Sequence, residues 1–454
     1  MQVTFSWTVS RPGSTSTIQI DKNRQNVPMG GENFQKPSVK TENDSGAALS
    51  RLRCGKIRPC WNGAACDTLF PWISLMGNAT GSKRLRAFRT CSVWSFLNAL
   101  RDGARFKVSL VLVLFITAVL PGQEGGSPQV LKLEGDVQYT HDPSIAKDGD
   151  TWYLFGTANG PVRKGELPIR CSQDLHHWKL CGYVFDKIPD WITKESPKTK
   201  ELWAPDISYF NGEYHLYYAF SVFGKNTSGI ALLTNQTLNP SSSDFHWVDK
   251  GLVLLSHVED DFNAIDPNLI IDEKGQPWLA FGSFWSGIKM RQINSKSGLL
   301  SSTDTKLYAL AGRKRPENPG PNPPGLPGDW QAIEAPFIVR HGEYFYLFVS
   351  FDLCCRGTRS NYKTMVGRSH TVTGPYLDAK GKAMLEGGGT PLLLGNSRWL
   401  GPGGESVLQQ RDGGIIVFHA YDGKTGEAYL QISTIAWVNG WPKVALEGGN
   451  PAEP

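Results

Sequence analysis

At 454 residues the chain is long enough for one large domain or two ordinary ones. Its 15 Trp, 14 Tyr and 21 Phe suit a β-rich core and surfaces that stack against flat apolar faces. The net charge of +5 is unevenly spread: residues 1–107 carry 16 Lys and Arg against 6 Asp and Glu, whereas the rest carries 31 against 36. The main body is therefore mildly acidic, which excludes a nucleic-acid-binding face.

In chain order, residues 1–107 show neither helical nor alternating periodicity and are rich in Ser, Gly, Asn and Arg, the composition of a disordered leader. An apolar run, VSLVLVLFITAVL at residues 108–120, follows Arg101, Arg105 and Lys107. It is short for a transmembrane helix and suits the apolar region of a signal peptide. Its place so far along the chain leaves two readings: the preceding residues come from a mis-assigned start, or the run is an uncleaved anchor, the one route to a membrane. The mature, secreted chain is expected to begin between residues 118 and 126. Asn226-Thr-Ser and Asn235-Gln-Thr are N-glycosylation sequons, in keeping with secretion.

Of eight cysteines, Cys54, Cys60, Cys66 and Cys91 precede the apolar run. Cys171 and Cys181 have a spacing that fits a disulfide across neighbouring strands. The adjacent Cys354 and Cys355 form either a vicinal disulfide or two thiols. No CxxC pair or His cluster accompanies them, so no zinc site is expected.

From about Gly135 the chain repeats one design: an acidic residue, a short apolar strand, a Gly turn and an aromatic-rich strand. The five copies are HDPSIAKDGDTWYLFGT, WAPDISYFNGEYHLYYAF, IDPNLIIDEKGQPWLAFGS, IEAPFIVRHGEYFYLFVS and GGESVLQQRDGGIIVFHAYD. Their acids fall at 142, 206, 266, 334 and 405, at intervals of 64, 60, 68 and 71. Each copy reads as a β-hairpin with room for two more strands before the next. The expected fold is all-β, a five-bladed β-propeller over residues 130–454. Residues 312–329, rich in Pro and Gly, read as a loop on the rim of the site, or as a passive insertion.

Aligned on their prolines, Asp142-Pro143 and Asp266-Pro267 match, and Glu334-Ala335-Pro336 sets its acid one residue earlier. Trp203-Ala204-Pro205 puts an aromatic where Glu334 stands, and leaves Asp206 as an anchor between blades. Three blades thus present a carboxyl at the start of the inner strand. Cleavage of a glycosidic bond needs one ionised carboxylate to act on water and one protonated carboxyl to serve the leaving oxygen. A third acid nearby can raise the pKa of the second by like-charge repulsion. His419 either faces the propeller axis or is a buried His bonded to backbone, and His176-His177-Trp178 reads as a structural edge strand.

These residues, with the motifs FNAIDPNL, GSFWSGIK, QAIEAPF, VSFDLCCRG, VGRS and WLGPGG, resemble the family 43 glycoside hydrolases, and within them the endo-1,5-α-L-arabinanases. The likeness covers nearly all of residues 130–445. It implies an inverting hydrolysis of internal α-1,5 links in arabinan, with Asp142 as general base, Glu334 as general acid and Asp266 as the residue that tunes and orients the acid. It places substrate contacts at Asn263, Ala264, Ile265, Ser283, Phe284 and Trp285 and near Gly224, with Trp203 as a stacking platform. Many relatives read GPGHNS where this chain has Gly401-Pro402-Gly403-Gly404-Glu405-Ser406; the His that faces a central ion is Gly404 here, which leaves calcium on the axis in doubt. No other cofactor and no obligate protein partner is implied. Rival readings are an exo-acting α-arabinofuranosidase or β-xylosidase of the same family, and a carbohydrate-binding propeller without catalysis.

Overall fold

The computed structural model describes residues 126–161, 164–318, 327–410 and 413–450, and the backbone of two strands near the start. Those two, Trp7–Arg11 and Ser14–Ile18, pair antiparallel as a hairpin. The remainder of the leader, its four cysteines and the apolar run at 108–120 lie outside the described residues.

The main body is a five-bladed β-propeller. Five four-stranded antiparallel units follow one another along the chain, each with its strands in sequence order, and the first gains a short parallel strand at its outer edge. The inner strands are Thr140–Asp148, Leu202–Phe210, Asn268–Ile271, Ile333–His341 and Trp399–Gln410. The segments that follow alternate apolar with polar residues or are apolar throughout, as strands buried on both faces require. One cluster of buried apolar side chains fills each of the five gaps between neighbouring blades. Phe155 and Leu216 pack between the first two blades, for example, and Leu347 packs with Met290 between the third and fourth.

The ring closes through the segment before the first blade. The amide of Leu131 donates to Ile432 O at 2.9 Å, and that of Leu430 to Val137 O at 2.8 Å, on the third strand of blade five. Glu134–Gly135 pairs in parallel with His177–Phe185, the outer strand of blade one, where His176 and Trp178 serve the structural role expected of them.

Every inner strand kinks at an equivalent residue. Asp142, Ala204, Asp266, Ala335 and Gly404 all have positive φ, between 43° and 58°. The ladder of hydrogen bonds breaks around this residue in blades one, two, four and five. Such a left-handed conformation is costly outside glycine and clusters where function requires it. The kink turns His141, Trp203, Ile265, Glu334 and Gly403 into one ring of positions, and Asp142, Ala204, Asp266, Ala335 and Gly404 into the next.

Two residues past the kink, polar side chains latch one blade to the next. Ser144 Oγ accepts from Ile207 N at 3.0 Å, Asp206 Oδ2 from Leu269 N at 2.8 Å, and Asn268 Oδ1 from Ile338 N at 2.8 Å. Asp206 is thus the expected anchor, and burial pushes its carboxyl up to about 7.

A disulfide joins Cys171 to Cys181 across the last two strands of blade one, and Cys354 is bonded to Cys355. The sequons are a correction. Asn226 is buried, and its Nδ2 donates to the carbonyls of His257, Asp260 and Phe262. Asn235 is buried as well, its Oδ1 accepting from His246 N. Neither side chain is free to carry a glycan in the folded chain.

Candidate active site

Asp142 and Glu334 enter the axial end of the propeller from blades one and four, and Asp266 from blade three. Asp142 and Asp266 line a narrow cavity on the axis with Asp206 and Glu405. Asp142 Oδ2 accepts from Thr157 Oγ1 at 2.6 Å and faces His141 Nδ1 at 2.9 Å. Burial alone would raise the Asp142 pKa; the His141 imidazole, then His419 and the Thr157 hydroxyl, overcome it and hold the carboxyl well below its ordinary range. Burial opposes charge on His141 too, and Asp142 overrides it, so the His141 pKa rises.

Glu334 is in the opposite state. Burial, and second the negative charge of Asp142, raise it to about 7, against a lowering by the Ser283 hydroxyl. Ser283 Oγ donates to Glu334 Oε2 at 2.5 Å, and the Tyr362 hydroxyl donates to Oε1. Both oxygens are therefore oriented. Asp266 lies well above its ordinary value through burial, then the charges of Glu334 and Asp142. Its Oδ2 accepts from the amide of Ala335, the residue after Glu334, at 3.1 Å, and so braces the backbone that carries Glu334.

Behind Asp142 the rings of His141, His419 and Tyr421 pack together. His419 is fully buried and stacks on His141 with ring centres 3.7 Å apart. Its Nδ1 accepts from the Asp142 amide at 3.3 Å, so it both faces the axis and bonds backbone. The Tyr421 hydroxyl meets His141 Nε2 at 2.8 Å and accepts from Cys355 N at 2.8 Å. The vicinal disulfide is thereby tied to Asp142 through two side chains.

The remaining expected residues fall in three places. Asn263 and Ala264 are buried against blade two: Asn263 Oδ1 accepts from Ser228 Oγ at 2.6 Å, and Ala264 N donates to Ser256 Oγ at 2.9 Å. With Ile265 they support Asp266 from behind. Ser283 touches Glu334, while Phe284 and Trp285 form a turn with φ of 53° and 43°. Trp203 stands half-buried in the same ring of positions as His141 and Glu334, edge-on to Phe223 at 6.4 Å. Phe223 adjoins Gly224 and is 77% exposed, an open aromatic face beside the cleft.

Sequence reasoning did not single out His141, Thr157, Phe223, Tyr362 or Tyr421. His141 had a signal, since alignment on the prolines puts it level with Glu334. Tyr362 had none, because its contact depends on how a loop after the second strand of blade four returns to the axis.

Among the described residues, an axial ion would draw its donors from His141, Asp142 and His419. His141, Asp142 and His419 offer atoms within 4.8 Å of one another. His141 Nδ1 already faces Asp142 Oδ2, and His419 Nδ1 accepts from the Asp142 amide. A Cβ at Gly404 would stand 2.8 Å from Asp142 Oδ1 and 2.8 Å from His419 Cε1, at a φ of 58°, so a His there has no room.

The family model for glycosyl hydrolases family 43 matches residues 137–442. An extracellular endo-α-(1→5)-L-arabinanase of Bacillus subtilis is 42% identical over 66% of this chain and 86% of the relative. An extracellular exo-α-(1→5)-L-arabinofuranosidase of Cellvibrio japonicus is also 42% identical, over 67% and 86%. The solved α-L-arabinanase of Cellvibrio cellulosa, complexed with arabinohexaose, superimposes with a TM-score of 0.62 at 40% identity, covering 68% of this chain and 96% of that one. The family model spans nearly all of the propeller, and this protein belongs to the glycosyl hydrolases of family 43.

Proposed function

We propose that the protein is a secreted arabinan hydrolase that cuts internal α-1,5-arabinofuranosyl links with inversion. One observation carries the reading: Asp142 sits beside His141, which holds its carboxyl well below the ordinary range, while burial raises Glu334 to about 7, so that on the acid side of neutrality the first is ionised while the second keeps its proton. In the reaction Asp142 takes a proton from a water as its oxygen bonds to the anomeric carbon. The bond from that carbon to the glycosidic oxygen breaks, and Glu334 gives its proton to the departing oxygen. Asp266 steadies the acid through Ala335. Trp203 and Phe223 offer aromatic faces for furanose rings.

An exo-acting arabinofuranosidase is the second reading, since a relative with that name is as similar as the endo-acting one. The two part on the products of linear, debranched arabinan. Mixed oligosaccharides at low conversion are expected. Release of arabinose or one short product alone favours the exo reading, and no release at all leaves a carbohydrate-binding propeller.

A further inference from the structure

We infer that the disulfide between Cys354 and Cys355 is a positioning element of the active site. It holds the Cys355 amide against Tyr421 and so fixes the His141 ring that orients Asp142, and its reduction by a dithiol lowers turnover. The inference rests on the role given to Asp142 above and adds a redox dependence to it.

The two cysteines lie in the loop between the second and third strands of blade four, Tyr344–Phe351 and Lys363–Ser369. Three hydrogen bonds shape the loop: Leu353 N to Asn361 Oδ1 at 3.1 Å, Asn361 N to Leu353 O at 2.9 Å, and Arg356 N to Ser360 Oγ at 3.0 Å. Cys355 adopts a left-handed conformation, with φ of 62°, uncommon for a residue with a side chain. In that conformation its amide meets the Tyr421 hydroxyl of blade five at 2.8 Å. The Tyr421 oxygen is 2.8 Å from His141 Nε2, and Cys355 Sγ is 3.7 Å from the same nitrogen. His141 Nδ1 faces Asp142 Oδ2 at 2.9 Å. In the neutral ring, a proton on Nδ1 for Asp142 leaves Nε2 to accept from Tyr421, so one chain of bonds sets ring and tautomer together.

The same loop reaches the acid. Tyr362, the residue after Asn361, donates its hydroxyl to Glu334 Oε1. One loop thus touches the partners of both carboxyls, and a brace of this kind has to be stiff. The disulfide closes a ring around the single peptide bond between the cysteines and limits rotation on both sides of it. Cys355 is exposed, so a dithiol in solution reaches it. Reduction puts two electrons and two protons into the Sγ–Sγ bond, which breaks into two thiols, while the dithiol closes to its own disulfide. Cys355 is then free to leave the left-handed region, which takes its amide off Tyr421. The new thiol beside His141 Nε2 also competes with the Tyr421 hydroxyl for that nitrogen.

The test measures hydrolysis of linear arabinan by the wild type before and after treatment with dithiothreitol, and again after reoxidation. On reduction kcat is expected to fall about tenfold, with KM and melting temperature little changed, and reoxidation should restore it. The double variant Cys354→Ser with Cys355→Ser should start at the lowered kcat and ignore the dithiol, which separates this disulfide from that of Cys171 and Cys181. Tyr421→Phe keeps the ring and loses the hydroxyl; it should fall similarly and lose most of its response. A wild-type kcat unmoved by full reduction, a double variant that still responds, or a loss of KM and melting temperature along with kcat would overturn the inference. A second readout needs no turnover: proton–nitrogen NMR spectra of the imidazoles, with His141 assigned from His141→Gln. The His141 proton should be held on Nδ1 in the oxidised chain and exchange between the two nitrogens in the reduced one. An unchanged His141 signal contradicts the brace even if the wild type cuts no arabinan, a failure that by itself sinks only the proposed function.

Discussion

His141 and Asp142 lie on either side of one peptide bond, and the kink there turns both side chains toward the same site. In the proposed mechanism their contact sets the acid limb of activity. Replacing His141 with Ala removes the largest favourable influence on the Asp142 carboxylate, so its pKa should climb toward the ordinary range. The acid limb of kcat/KM should then move to higher pH, and an unmoved limb would contradict this role. Glu334 must carry its proton to act, so kcat/KM is expected to fall as the pH rises through about 7. Asp142→Ala and Glu334→Ala should each reduce kcat by about a thousandfold or more. Glu334→Ala should spare substrates with good leaving groups, since these need no proton; turnover above a tenth of wild type on arabinan for either variant would refute the assignment. At this scale the acids were legible because each stands at a fixed offset from a proline. Tyr362 and Thr157 were not, because nothing local announces a hydroxyl that meets a carboxyl only after the chain has wound around the axis.

The inner strands repeat one arrangement with different side chains. Ser144, Asp206 and Asn268 do the same work of accepting the next blade's amide, so the acid at 206 is present for its oxygen rather than its charge. Asp206→Ala leaves the buried Leu269 amide without an acceptor and should cost about 1–3 kcal/mol, whereas Asn keeps an acceptor and should cost less. Asp206 and Glu405 are both lifted by burial to about 7. Folded-state values above the unfolded ones stabilise fully below the ordinary carboxylate pKa, and that stability is lost as the pH rises through about 7. The melting temperature of wild type should therefore decline from mildly acidic to neutral pH, and Asp206→Asn should flatten the decline. An identical slope in the variant would place the titration elsewhere. Blade five was the hardest to read from sequence: it lacks the proline, and its kink falls on Gly404, which packs against Asp142.

The five-fold repeat was legible in the spacing of acids and glycine turns, while the closure of the ring was not. It depends on a segment without a repeat signature, residues 129–138, which bonds to blade five and to the outer strand of blade one. We propose that residues 1–125 are dispensable for the folded enzyme and that the closing segment is not. A chain beginning at residue 126 should melt and act as the full chain does. One beginning at residue 139 should lose roughly 5 °C or more in Tm. Equal melting of the two would show that the segment does not close the ring.

The most direct test of the whole account is proton NMR of linear arabinan in the first minutes of hydrolysis. Oligosaccharides whose new reducing ends are β-anomers, appearing before mutarotation, are the expected result, with Asp142 and Glu334 set roughly 6.5–9.5 Å apart to leave room for a water. New ends formed first as α-anomers would mean retention, and would contradict the role given to Asp142.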